Sequence, residues 1–397
     1  VVRRRRRAAG LIGPVLALTV AGCHSPPEGY PEQLSFPARA DLIVDRVPND
    51  PAPEPGPLGQ LDEEIGRVTR AGGRASDPAN LSPGQRAQLQ RVLAETFGTP
   101  ARPTVTGDAE VQELVGRLHL GPEELAAGSR LYRRHCQQCH GLSGDGRGPT
   151  GPWIYPHPRD FRQGQFKFVS TDGGEARKPC REDLVRTLRN GIPGTSMPAF
   201  GLLADAELES LAGYVAFLSL RGNVEYGVEK SILTGADSGP DCDVAIESRE
   251  ELKTLLGWWA KAETDRLPPR EPALGADGPT APADAEAVRR GYRLFIDAAT
   301  ANCVSCHADF GRQSQYRFDA WGTVVRPANL TAGAFKGGKR PIDLYWRLRG
   351  GIGPSRMPAA PLGEGQLWDL VRFVQALPYP ARLPDDVRTK VYPVKSD

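Results

Sequence analysis

The sequence predicts a mainly α protein built from two small tandem helical domains joined by loop-rich linkers. Three observations carry this reading. A five-residue motif of two cysteines and a histidine occurs twice, at 136–140 and 303–307. The residues around the two copies repeat one another at nearly constant offsets, so one supersecondary unit is used twice. Gly (45) and Pro (37) are abundant in the 397 residues and aromatics make up only 7%, which favours compact loop-rich domains over long sheets or bundles.

The repeated motif is chemically specific. Cys136-Gln137-Gln138-Cys139-His140 and Cys303-Val304-Ser305-Cys306-His307 both read C-x-x-C-H, the attachment signature of c-type heme. Two thiols three positions apart at a helix end can each add to one heme vinyl group, and the adjoining histidine then lies beneath the iron. A zinc knuckle or a redox dithiol shares the cysteine spacing but has no need of the trailing histidine. Two covalently attached hemes c are therefore expected, held by Cys136, Cys139, Cys303 and Cys306, with His140 and His307 as iron ligands.

The methionines give an independent indication of the opposite ligand. The chain has only two, Met197 and Met357, each in a Met-Pro dipeptide after a Gly-rich loop. They follow their histidines by 57 and 50 residues. Methionine usually fills gaps in a core, but that role does not explain why both copies occupy equivalent positions. Met197 and Met357 are the expected sixth ligands, and thioether sulfur raises the reduction potential by favouring Fe(II). Of the other histidines, His135 is expected to point away from the iron and His157 to shape the first pocket or substitute as a ligand. His119 reads as a surface residue and His24 as part of the N-terminal tether.

The two halves match further. Asp183-Leu184, Leu188-Arg189, Gly191-Ile192 and Met197-Pro198 recur 160 residues later as Asp343-Leu344, Leu348-Arg349, Gly351-Ile352 and Met357-Pro358. Pro158, Phe161, Gly164 and Phe166-Lys167 match Pro327, Leu330, Gly333 and Phe335-Lys336 at an offset of 169. Gly128 to Tyr132 matches Gly291 to Phe295. After each methionine an amphipathic helix is predicted, with Leu208, Leu211, Tyr214, Val215 and Leu218 on one face, and Leu367, Leu370, Val371 and Val374 in the second copy.

Each half thus reads as helix, C-x-x-C-H, long loop, middle helix, Met loop, closing helix. In this order it resembles the class I cytochrome c family, over about 128–222 and 284–380. The resemblance implies that first and last helices cross at a glycine packed by aromatics. Gly128 with Tyr132 and Tyr214, and Gly291 with Phe295 and Phe373 or Trp368, fit those parts. It also implies that a proline carbonyl after the motif orients the histidine. Pro149 is the candidate for His140, and the second half has no proline at the corresponding place, so unequal hemes are expected.

The flanking segments complete the expected organisation. Arg3 to Arg7, the apolar run Leu11–Val20 and Val20-Ala21-Gly22-Cys23 read as a signal peptide over 1–22. This end resembles the lipobox of bacterial lipoproteins, which implies lipidation of Cys23. Residues 23–60 are expected to form a lipid-anchored Pro-rich tether and 61–127 a helical linker with a helix around 84–97. Residues 223–283 would separate the domains, with a helix near 247–264 carrying Trp258 and Trp259 that packs against the domains or docks a partner, and 381–397 form a tail. Cys180 and Cys242 are left over, and the sequence leaves their pairing open.

The two heme segments carry formal charges of +4 and +5, and the rest of the mature chain is acidic. A basic rim would steer acidic redox partners. The expected function is electron transfer in the periplasm or at the outer face of a membrane. It would link a respiratory dehydrogenase or quinol-oxidising complex to a terminal oxidase or other acceptor. Expected partners are redox proteins (an oxidase, a dehydrogenase or a small electron carrier) and a membrane reached through the lipid, with no nucleic acid. Two closed His/Met sites argue against the alternative, a diheme peroxidase, which needs an iron with an open or displaceable ligand.

Overall fold

A computed structural model of the chain describes residues 29–55, 59–172, 176–235, 243–267 and 282–393, apart from the side chains of 282–284. Twelve helices lie in them: α1 (Leu61–Arg70), α2 (Pro83–Phe97), α3 (Ala109–Arg117), α4 (Pro122–His135), α5 (Gln137–His140), α6 (Arg181–Asn190), α7 (Asp205–Thr234), α8 (Val244–Ala262), α9 (Pro282–Ile296), α10 (Pro341–Gly350), α11 (Glu364–Ala376) and α12 (Asp385–Val391). Two antiparallel ribbons accompany them, β1 (Ile43–Arg46) with β2 (Arg74–Ser76) and β3 (Arg317–Phe318) with β4 (Val324–Val325).

The two repeats build the same helix crossing. In the first, α4 packs on α7 where Gly128 meets the backbone; a Cβ there would lie 2.2 Å from the Ser210 carbonyl. In the second, α9 packs on α11, and a Cβ on Gly291 would lie 2.2 Å from the Asp369 carbonyl. Neither position can carry a side chain without separating the helices. Aromatic pairs close both crossings, Tyr132 with Tyr214 at 5.2 Å and Phe295 with Phe373 at 5.5 Å. Trp368 takes a different place, stacked on Tyr345 at 4.8 Å.

Segments outside the two expected domains, 61–127, 223–283 and the tail 381–397, contribute helices to the cores. Helix α7 does not stop near residue 222. It runs 30 residues to Gly235, which adopts the left-handed conformation that ends helices. Val224, Val228 and Ile232 on its second half are buried, and α2, α3 and α8 cover them with Leu89, Leu93, Phe97, Val111, Leu252 and Leu255. An apolar helix that outruns its own domain must find cover, and the segments on either side of the domain supply it. Trp259 of α8 is buried and meets Phe166 edge-on at 5.9 Å, so this helix packs on the first domain. At the C-terminal end, Val387 and Val391 of α12 complete the second core.

The stretch 23–60, expected to be a tether, is folded wherever it is described. Tyr30, Phe36, Ile43, Val44 and Ala52 are buried. Phe36 packs on Phe217 of the first domain at 6.1 Å. Val44, Ala52, Leu61, Ile65 and Val68 form a small core with Phe318 and Val324 of the second. The prolines concealed this arrangement, because alternation of apolar residues is short and interrupted. The N-terminal segment is therefore a clasp across both domains. Direct contacts reinforce it: Arg177 donates to the Gly351 carbonyl at 3.0 Å, and Trp346 Nε1 donates to the Leu267 carbonyl at 3.0 Å.

Charge also fastens the clasp. Arg162, 4% exposed, forms a bidentate pair with Asp41 at 2.8 and 3.0 Å. Burial alone would raise the Asp41 carboxyl, but the guanidiniums of Arg162 and Arg39 outweigh it and hold the group at about 2. A carboxylate depressed in the folded state stabilises above its unfolded value near 4 and loses that contribution as pH falls toward 2. Asp41→Asn is expected to cost about 2 to 3 kcal/mol at pH 7. In urea unfolding followed against pH, the gap from wild type should close between pH 4 and 2; a gap independent of pH would contradict the pairing.

Candidate functional site

Both C-x-x-C-H motifs coil into a single tight turn after the first helix of their repeat. His140 N–H donates to the Cys136 carbonyl and His307 N–H to the Cys303 carbonyl, each at 2.9 Å. All eight residues singled out from the sequence line one continuous cavity of about 670 Å³: Cys136, Cys139, His140 and Met197 from the first domain, Cys303, Cys306, His307 and Met357 from the second. The structure thus brings together not only the members of each set but the two sets. Cys23 and Cys242 lie outside the described residues, and Cys180 is a buried free thiol 3.6 Å from Ser170 Oγ.

The methionine loops are built alike. Gly191 and Gly351 both have positive φ, at 63° and 67°, where a side chain would be strained and would collide with the returning strand. The backbone N–H of Ile192 donates to the Met197 carbonyl at 3.1 Å, and that of Ile352 to the Met357 carbonyl at 2.8 Å. Inside each loop a hydroxyl two positions before the methionine, Thr195 or Ser355, donates to the isoleucine carbonyl at 2.8 or 3.0 Å. These bonds pin both loops independently of any bound group.

Each histidine is oriented by a backbone carbonyl, and Pro149 does not supply it. His140 Nδ1 lies 3.1 Å from the Arg159 carbonyl, and His307 Nδ1 lies 3.0 Å from that of Ala328. Arg159 and Ala328 are equivalent at the 169-residue offset and follow the matched prolines Pro158 and Pro327. The expected asymmetry between the halves is therefore absent. The relevant proline lies farther along the loop than Pro149, and it places the carbonyl of the next residue. Burial, with the nearby Arg159 charge assisting, pushes His140 down to about 4 against its carbonyl bond; burial also lowers His307. Both rings are neutral at pH 7, so Nδ1–H donates and Nε2 keeps its lone pair.

Other ring and thiol environments narrow the chemistry. Burial pushes the Cys136 thiol to about 12 and Cys303 to about 11, unlike the acidic thiol of a redox dithiol. Among the described residues, no group of three or more His, Cys, Asp or Glu is placed to hold a metal ion. His135 meets Phe200 edge-on at 5.9 Å. His157 Nε2 lies 3.3 Å from Glu64 Oε2 on the clasp, without hydrogen-bond geometry.

Three half-buried cations to which the sequence analysis assigned no role also line the cavity: Lys167, Lys336 and Arg347. Burial lowers all three, with the Arg159 charge adding to it at Lys167, which falls to about 7, and Arg347 to about 10. Lys167 and Lys336 are again equivalent at an offset of 169, and that repetition was the available signal. Lys167 lies 3.6 Å from Asp319, and Arg347 donates to the carbonyls of Asp343, Lys336 and Gly338, so the cavity's positive charge is partly compensated within the protein. A heme fits this donor set: the cysteines would attach it, the histidines and methionines would supply ligands to its iron, and the cations would favour its carboxylates.

Comparison with known proteins agrees. Residues 123–215 match the family of cytochrome c oxidase, cbb3-type, subunit III, and residues 288–378 match the cytochrome c family. Among solved structures, the chain is similar to one from the reducing HAO-like protein complex of Kuenenia stuttgartiensis. The two are 23% identical with a TM-score of 0.43, covering 63% of this chain and 95% of that one. No curated protein matches. The chain thus carries two tandem cytochrome c domains, one in each repeat, within a mainly α fold, which supports a diheme class I c-type cytochrome.

Proposed function

We propose that this chain relays electrons between redox proteins outside the cytoplasm, through two hemes bonded to Cys136 and Cys139 and to Cys303 and Cys306. The axial pairs are His140 with Met197 and His307 with Met357. When bound, each heme supplies a one-electron Fe(III)/Fe(II) couple. The carrying observation is the single cavity lined by both ligand sets, which suits passage between two centres within one chain. The protein's own task is to hold ligands still. The carbonyls of Arg159 and Ala328 keep each Nε2 facing inward, and the pinned Met loops present a second ligand at both sites. A ligand at each face leaves no place for peroxide, so an electron carrier is favoured over a peroxidase.

The partner class follows from charge, since domains of +4 and +5 favour acidic redox proteins at low salt. Donor and acceptor are read as a respiratory dehydrogenase or quinol-oxidising complex and a terminal oxidase or other acceptor. The membrane is reached through a lipid on Cys23. Among the described residues no helix is long and apolar enough to cross a membrane.

Two experiments test the proposal. Met197→Ala and Met357→Ala should each lower one of two midpoint potentials and let carbon monoxide bind one reduced heme per chain. Carbon monoxide binding at both hemes of the unmutated protein, or rapid turnover of peroxide, would overturn the closed-site reading. Cys23→Ser should move the protein from the membrane to the soluble fraction with heme content unchanged; unaltered membrane retention would overturn the lipid anchor.

A further inference from the structure

We infer that Glu64, on the N-terminal clasp, is a positioning residue that holds the histidine-orienting strands of both domains in one register and so sets the potentials of the two hemes jointly. The inference rests on the ligand assignment proposed above and extends it to a segment that neither matched family model reaches.

Glu64 is a carboxylate 1% exposed on α1. Its Oε2 accepts the backbone N–H of Val324 at 3.0 Å and lies 3.3 Å from Nε2 of His157, a close contact without hydrogen-bond geometry. Tyr155 closes the triangle, donating from its hydroxyl to the Val324 carbonyl at 3.1 Å. Around these contacts, Leu61, Ile65 and Val68 of α1 pack with Val324 and Phe318. Oε1 has no hydrogen-bond partner among the described residues and sits against Gly59, where a Cβ would approach within 3.0 Å. An ionisable group buried with half its oxygen valence unfilled is costly, and it is retained here at the one point where three segments meet.

What makes the meeting point consequential is its register. Tyr155 and Val324 are equivalent at the repeat offset of 169, as are Arg159 and Ala328. In the first domain Glu64 meets His157, two residues before Arg159, and in the second it meets Val324, four residues before Ala328, whose carbonyls accept Nδ1–H of the two histidines. Arg159 is further tied across the domain boundary, its guanidinium 3.7 Å over the Trp321 ring. Shifting the junction moves both carbonyls together. The bond from Nδ1–H to its acceptor controls how strongly the imidazole donates to a metal, and ligand donation tunes potential. Removing the carboxylate loosens both bonds, makes both rings poorer donors and raises both potentials.

The test is a spectroelectrochemical titration of the full, heme-loaded chain, with the imidazole–iron signals followed by paramagnetic proton NMR. Glu64→Ala should shift both midpoint potentials upward and alter the signals of both histidines. Glu64→Gln, which keeps an acceptor for the Val324 N–H, should restore most of the wild-type behaviour. Tyr155→Phe removes one link while leaving the carboxylate, and should give a smaller shift of both; it serves if Glu64→Ala fails to fold. Glu63→Ala, on the exposed face of the same helix, should change neither potential. A fall in thermal stability with both potentials unmoved, or a shift confined to one heme, would overturn the inference. A wild-type protein lacking His/Met ligation at both hemes would instead overturn the ligand assignment, and this inference with it.

Discussion

An imidazole has two ring nitrogens, and a metal can take only the one that faces it. Here each histidine is turned by a bond from Nδ1–H to a backbone carbonyl, Arg159 for His140 and Ala328 for His307. The bond does three things at once. It selects the tautomer, fixes the plane of the ring, and compensates part of the cost of burying a polar group. Everything around it serves to keep those two carbonyls in place. The crossed helices set where each C-x-x-C-H turn begins, the Met loops close the opposite side, and the clasp holds the carbonyl-bearing strands against each other.

The consequence is a molecule whose two halves are less independent than tandem repetition suggests. Segments on either side of the first domain complete its core, because the long helix α7 carries apolar residues past its own crossing partner. The N-terminal segment spans both domains, with Phe36 on one side and Val44, Ala52 and Ile65 on the other. A shared cavity is possible only if the domains stay in register, and buried pairs such as Arg162 with Asp41 tie the clasp down.

The candidate ligands, which the structure gathers around one cavity, stood out in the sequence because each is a chemical type at a fixed spacing: two thiols and an imidazole, then a methionine in a duplicated loop. The helix crossings were legible because Gly128 and Gly291 sit at matching places beside aromatics. What escaped was whatever depends on backbone atoms or on contacts distant in sequence. A carbonyl has no letter of its own, so Pro149 drew the assignment that belongs to Arg159, and a false asymmetry followed. The clasp escaped because its apolar residues are scattered among prolines, which read locally as a tether. Lys167 and Lys336 were noticed only as repeated positions; burial, which gives them meaning, comes from tertiary packing.

The central claim is that two hemes share one cavity between the domains. Circular dichroism in the Soret band of the fully oxidised protein tests it most directly, because two nearby chromophores in a fixed orientation couple. The account predicts a bisignate band in the wild-type protein that collapses to a single sign when Cys303→Ser and Cys306→Ser together leave one heme attached. A wild-type spectrum equal to the sum of two single-heme spectra would contradict it.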